Sequence, residues 1–269
     1  EKEIIRKLIE TYQSAAEMNK KAELVSRVAE TYWQIAVAYD RLGEHLESAN
    51  NFEYASKQYE LSAHNIPQLT SFYMDYATYM QAWSDIEKAR HSHEREEYGQ
   101  SKEHYEKAAS ALKTSKSWSY LAPNYLAWAH LEHAEDLSRD NQSQEAIQAF
   151  MEASKLFNQA KKSLEEESDK ILSPDEKDIA VKLSKSSDSR EEYCLARILI
   201  EEAKNLYTSG DCVSSREKYR SAAKRLERIA QAMENETERK ELLPLIHMCQ
   251  AWQKMSVAEE MADAALYAE

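Results

Sequence analysis

The sequence predicts an all-α protein, and three observations carry the prediction. Glycine occurs only 3 times and proline 4 times in 269 residues. Sheets and tight turns consume glycine, so such scarcity points to long helices joined by brief connections. Apolar residues recur at spacings of three and four along nearly the whole chain, the period of a helix face. Alanine, glutamate, lysine and leucine, all strong helix formers, dominate the composition together with serine.

The elements follow in order. Ile4, Ile5, Leu8, Ile9 and Tyr12 mark the first helical stripe. Leu24, Val28, Tyr32, Ile35, Ala36 and Tyr39 mark the second, which stops at Gly43. Leu46, Ala49, Phe52, Ala55 and Tyr59 form the third, closed by His64-Asn65-Ile66-Pro67. A long helix then runs from Gln68 to near Glu96 and opens on the aromatic cluster SFYMDYATYMQAW. Its residues Phe72, Tyr76, Tyr79, Trp83 and Ile86 make one stripe, and Tyr73, Ala77 and Met80 an adjoining one. Such a helix is sandwiched between neighbours, or leaves one of its faces open.

Gly99 punctuates before Lys102 to Leu112, and Pro123 sits near the start of a helix ending at Arg139. After the turn Asp140-Asn141-Gln142-Ser143 a helix extends to about Glu167. Ser173-Pro174-Asp175-Glu176 reads as a capping box starting a short helix through Ile179 and Leu183. Ser184 to Ser189 reads as a polar joint, and Ser189 with Glu192 as a second capping box. Two helices follow, to Ser209 and from Asp211 to about Met233, and the last starts near Thr237, where Pro244 is expected to kink or divide it. The expectation is about eleven helices in one domain over residues 1–269, with a candidate joint at 168–190.

Four segments share one order: small, hydrophobic, turn, small, aromatic, alanine. They are Ala36, Tyr39, Gly43, Ser48, Phe52, Ala55; Ala89, Ser92, Glu96, Ser101, Tyr105, Ala108; Ala134, Leu137, Asn141, Ala146, Phe150, Ala153; and Ala203, Leu206, Gly210, Ser215, Tyr219, Ala222. In each, two helices form a hairpin, small residues face each other where backbones approach, and the aromatic fills the space beside them. In the second segment Asp85 and Lys88 fall where the first helix should be apolar, which leaves room for a longer turn. Hairpins with exposed apolar faces stack on one another.

This order resembles the core consensus of the tetratricopeptide repeat family. The match covers about half of the chain; the closing proline is missing, and the repeats are longer than the family's roughly 34 residues. The long irregular hairpins look like the variant repeats of the soluble attachment proteins of membrane-fusion machinery, in architecture only. The resemblance implies a right-handed solenoid of antiparallel helical hairpins whose concave face binds a partner protein or peptide. By repeat position, Trp33, Val37, Trp83, Arg90, Trp128 and Arg197 would line that groove. The family's Lys/Asn/Arg clamp for a C-terminal carboxylate is not reproduced, since Trp33, Val37 and Glu87 occupy equivalent places.

Charge narrows the partners. With 35 Lys+Arg against 48 Asp+Glu the net charge is -13, which repels nucleic-acid backbones and anionic membranes, so no nucleic-acid partner is expected. No apolar run reaches the roughly 18 residues of a membrane span. Cys194, Cys212 and Cys249 lack metal spacing and are odd in number, which fits reduced thiols in the cytoplasm.

Chemistry is sparse. His91 and His93, and His130 and His133 beside Glu132, Glu135 and Asp136, form neither a complete zinc set nor a di-iron set. No GxSxG, P-loop or GxGxxG occurs, and the cysteines show no readable triad. No catalytic residue, metal or cofactor is therefore expected. Arg216, Arg220, Lys224 and Arg228 recur every four residues beside the apolar face of Tyr219, Ala222, Ala223, Leu226 and Ile229. The row suits a phosphate or an acidic peptide, and equally reads as a solvated face. The expected function is a non-catalytic scaffold or adaptor. A start at Glu1 rather than methionine, together with the serine-rich joint, motivates a second reading as a sensor or regulatory module of a larger chain. A phosphopeptide-binding adaptor and a helical enzyme are the remaining alternatives.

Overall fold

A computed structural model describes residues 2–170, 174–233 and 236–266, and these form ten α-helices with no strand among the described residues. They are α1 (Lys2–Lys21), α2 (Val25–Leu42), α3 (His45–Asn65), α4 (Thr70–Glu94), α5 (Tyr98–Thr114), α6 (Ala122–Arg139), α7 (Ser143–Ser168), α8 (Pro174–Thr208), α9 (Cys212–Ala232) and α10 (Glu236–Leu266). Single 3-10 turns at Pro67–Leu69 and Ser119–Leu121 precede α4 and α6. The chain divides into two compact units, Glu1–Glu132 and His133–Glu269, the division falling within α6.

One turn recurs five times. Glu23, Gly43, Glu96, Asn141 and Gly210 all have positive φ, between 54° and 86°. At each, the N–H bonds the carbonyl three residues back, and the next N–H bonds the carbonyl five before it, as in Gly43 to Asp40 and Glu44 to Tyr39. This pairing satisfies helix-end carbonyls that would otherwise lack donors. The second segment uses the same turn as the others, so no longer connection is needed. Its charged positions are met by neighbours: Asp85 accepts from Gln81 and contacts His104, each at 3.3 Å, and Lys88 donates to Glu53 at 2.9 Å. The turn at Glu23 adds a fifth hairpin, α1–α2, which the pattern of small residues did not reveal.

The shared positions pack alike. Ala36, Ala89, Ala134 and Ala203 are fully buried, as are Ser48, Ser101, Ala146 and Ser215 facing them. The Ser48, Ser101 and Ser215 hydroxyls donate to the Ala36, Ala89 and Ala203 carbonyls at 3.0, 3.0 and 2.8 Å. A larger side chain there would force the helices apart. Phe52, Tyr105, Phe150 and Tyr219 are all buried beside them, each contributing about 2–3 kcal/mol by loss of water contact.

The expected joint at Ser184 to Ser189 is instead the interior of α8, a single helix of 35 residues. Ser187 and Ser189 bond back to the carbonyls of Leu183 and Lys185, so their hydroxyls do not compete with the helix from outside. Packing on α7 supports the segment: Ser184 and Ser187 are buried, Lys161 pairs with Asp188, and Asn158 donates to Glu191 at 3.0 Å. The capping box read at Ser189 therefore does not form. The one read from Ser173 lies outside the described residues. Pro244 sits inside α10 without dividing it. The continuity of α8 accounts for ten helices among the described residues where about eleven were expected.

In the first unit Ile9, Ile35, Ala38 and Leu42 join α1 to α2. In the second, Ala196, Ile200, Tyr219, Leu226, Ile246 and Cys249 gather α8, α9 and α10 into one core.

Candidate partner-binding face

A connected band of aromatic rings runs through the first unit from Trp33 to Trp128. Trp33 meets Tyr76 and Tyr79 edge-on, with ring centroids 6.1 Å apart in both cases. Trp83 stacks on Phe52 at 5.9 Å and meets Tyr79 and Tyr125 edge-on at 6.1 and 6.2 Å. Tyr105 stacks on Tyr125 at 6.3 Å and on Trp128 at 5.8 Å. Offset and edge contacts of this kind are the favoured aromatic geometries. Trp33, Trp83 and Trp128 are each half-buried, so each is gripped on one side and keeps surface open.

Within SFYMDYATYMQAW, Ala77, Tyr79 and Met80 are buried, Tyr73, Tyr76 and Trp83 are half-buried, and Phe72 is 52% exposed. The neighbour that covers Tyr79 is announced by no local pattern. Trp118, from the connection between α5 and α6, stacks on it at 4.2 Å. Asp75 on α4 organises that connection. Its carboxylate accepts from the Ser115 hydroxyl at 2.8 Å and from the N–H groups of Lys116 and Ser117 at 2.9 and 3.1 Å. Burial raises the Asp75 pKa, but these donors outweigh it and hold the carboxyl below its usual range.

Beside the band lies a charged cluster. Glu87 is completely buried, with His45 Nδ1 at 2.7 Å and Arg90 donating at 2.8 Å. Arg90 also donates to Asp40 at 2.9 Å, and His45 Nε2 lies 3.5 Å from Glu94. The hydrogen bond to Glu87 pushes the His45 pKa up despite burial. Burial raises the Asp40 pKa, opposed by Arg90. Asp40, His45 and Glu87 offer ligand atoms within 4.8 Å of one another, a donor set that suits a divalent transition ion. Arg90 already bridges the two carboxylates, so an ion would have to displace its guanidinium. His91, His93, His130 and His133 are not part of this group.

Glu87 is one of three. Glu132 and Glu201 are buried at the same register, two residues before the small alanine. Glu132 lies 2.9 Å from His93 Nδ1. Glu201 accepts from Ser138, Ser143 and Lys204 at 2.6, 2.8 and 2.7 Å. In each case at least one partner comes from the preceding hairpin, so the glutamate ties one hairpin to the next. The first segment has Gln34 there, exposed. The sequence signal for this feature is a glutamate two residues before the first small alanine of a repeat, at 87–89, 132–134 and 201–203; Glu-x-Ala alone also occurs at 47–49, 53–55 and 106–108.

The remaining groove candidates are engaged within the chain. Val37 is half-buried. The Arg197 side chain is 12% exposed, pairs with Glu135 at 2.9 Å, donates to Ser138 at 2.8 Å, and lies over the Phe150 ring. Cys194 and Cys249 are buried and unpaired. Burial pushes both thiols up, Cys249 to about 11, which keeps them protonated at neutral pH and poor as nucleophiles. On α9, Arg216 pairs with Glu260 at 2.6 Å, while Arg220, Lys224 and Arg228 are exposed.

Comparison with known protein families, with curated proteins and with solved structures finds no match to this chain. No described helix is long and apolar enough to cross a membrane.

Proposed function

We propose that this protein is a non-catalytic helical-repeat adaptor that binds a segment of a partner protein along the aromatic band of its first unit. In this reading the hairpins stack as in tetratricopeptide-like solenoids, and the protein works in the cytoplasm. The observation that carries it is the state of Trp33, Trp83 and Trp128: half-buried, held in place by neighbouring rings, and open on one side. Rigid aromatic surface loses little entropy on contact and dominates the energetics of interfaces. Arg90, 36% exposed, adds a polar anchor beside the band while held by Asp40 and Glu87. Arg197 is too enclosed to serve as an anchor and acts in this reading as a support.

A peptide display library selected on the wild-type chain tests the proposal. Selected peptides should bind Trp83→Ala and Trp128→Ala about tenfold or more weakly, the loss expected for a central aromatic. Far-UV circular dichroism should be unchanged, and Trp83→Phe should recover part of the binding. Peptides that bind all variants equally would remove the band from the interface.

A further inference from the structure

The second unit carries a separate charged edge. Arg216, Arg220, Lys224 and Arg228 lie in a row along α9. Although the chain carries a net charge of -13, this row is neutralised only in part. Arg216 is held by Glu260. Arg220 has only a 3.9 Å contact with Glu217. Lys224 and Arg228 are exposed and have no ion-pair partner among the described residues. Arg216 and Arg220, with Glu217 between them, border a cleft of about 490 Å³ between α9 and α10, where Lys254 adds another cation without a partner among the described residues, and Gln250 and Gln253 add side-chain amides.

We propose that this edge is a docking site for an acidic protein segment in extended conformation, with acidic side chains at alternate positions. The argument is one of spacing. Residues four apart on a helix rise about 6 Å. Alternate residues of an extended strand, which point the same way, are about 6.6 Å apart. An acid-x-acid-x-acid segment therefore places successive carboxylates opposite successive cations of the row. From Arg216 to Arg228 the row spans about 18 Å, close to the reach of roughly seven extended residues, whose alternate positions would face the four cations. Gln250 already donates to Glu227 at 3.1 Å and Gln253 to the Cys249 carbonyl at 3.3 Å, so each amide keeps its second N–H for a backbone carbonyl of such a segment. Broad anionic surfaces fit poorly, because Glu217, Glu227 and Glu260 flank the row and the whole chain is acidic. The site is independent of the aromatic band and stands or falls without it.

Fluorescence anisotropy on the full chain tests this, using two labelled peptides of equal composition. One alternates glutamate with alanine; the other groups its glutamates together. The alternating peptide should bind more tightly, and added salt should weaken it. The charge-neutralised variant R220Q/K224Q/R228Q should bind it about tenfold or more weakly, with a melting temperature close to wild type because these side chains are exposed and no like-charge pair is created. Lys254→Ala should give a smaller loss in the same direction. Equal binding of both peptides, undiminished binding by the variant, or preferential sedimentation with phosphatidylserine vesicles would each overturn the proposal.

Discussion

His45 Nδ1 sits 2.7 Å from a carboxylate oxygen of Glu87 that has no access to solvent. The two residues belong to different helices, α3 and α4, and Arg90, Asp40 and Glu94 surround them. The Glu87 bond raises the His45 pKa above its usual value near 6.5. A histidine with a raised folded-state pKa contributes stability fully present below the unfolded value and lost as pH rises through the folded one. The first unit should therefore lose stability as pH rises from neutral into the alkaline range. Thermal melts across that range should show the slope, and His45→Gln should flatten it. A slope that survives in His45→Gln would assign the effect to another group.

The shared register of buried glutamates makes a second prediction. Glu201→Gln leaves Lys204, a third exposed, and two serines around a neutral amide, and should cost about 1–3 kcal/mol through the weakened charge-assisted bonds. Gln34→Ala, at the exposed equivalent, should stay within about 0.5 kcal/mol of wild type. Urea denaturation of the two variants compares them directly. Equal effects would mean the register carries no energetic weight.

The recurring turn predicts opposite signs for two substitutions. Gly43 has φ 75° with open space around the position of a Cβ, so Gly43→Ala should destabilise by about 1 kcal/mol through backbone strain alone. Glu23 has φ 54° and is exposed. Glu23→Gly should relieve the same strain and stabilise by about 0.5 kcal/mol, net of the greater freedom of glycine when unfolded. Melting temperatures should move in opposite directions.

Asp75 offers a test of how the aromatic band is held. Asp75→Asn keeps the shape but weakens charge-assisted bonds to the 115–117 segment, and should cost about 1–3 kcal/mol. Loss of Trp118 from the Tyr79 ring should appear as a shift in tryptophan emission. An unchanged spectrum with the full loss of stability would separate the carboxylate from the placement of Trp118.

The repeat order was legible because it is local. Small residues, the turn and the aromatic recur at fixed intervals, and backbone sterics and close helix approach impose the same residue types each time. Glu96 shows how far that reaches, since the interval placed the turn correctly even where glycine is missing. Ser184 to Ser189 show the opposite case. Polar, serine-rich composition reads locally as a joint, yet packing on α7 and back-bonded hydroxyls keep α8 helical. Trp118 was illegible for a similar reason, because its place depends on Asp75, distant in sequence.

By itself the sequence determined that this chain is helical, where four of its hairpin turns lie, and which small and aromatic residues fill their interiors. Periodicity and backbone sterics act within a few residues, and these suffice. Only the tertiary structure decided that Glu87, Glu132 and Glu201 are buried between hairpins, that Arg197 is enclosed while Arg220, Lys224 and Arg228 stay open, and that the band from Trp33 to Trp128 is continuous. Burial, charge pairing and ring contact depend on which residues meet across helices, and no local pattern encodes that.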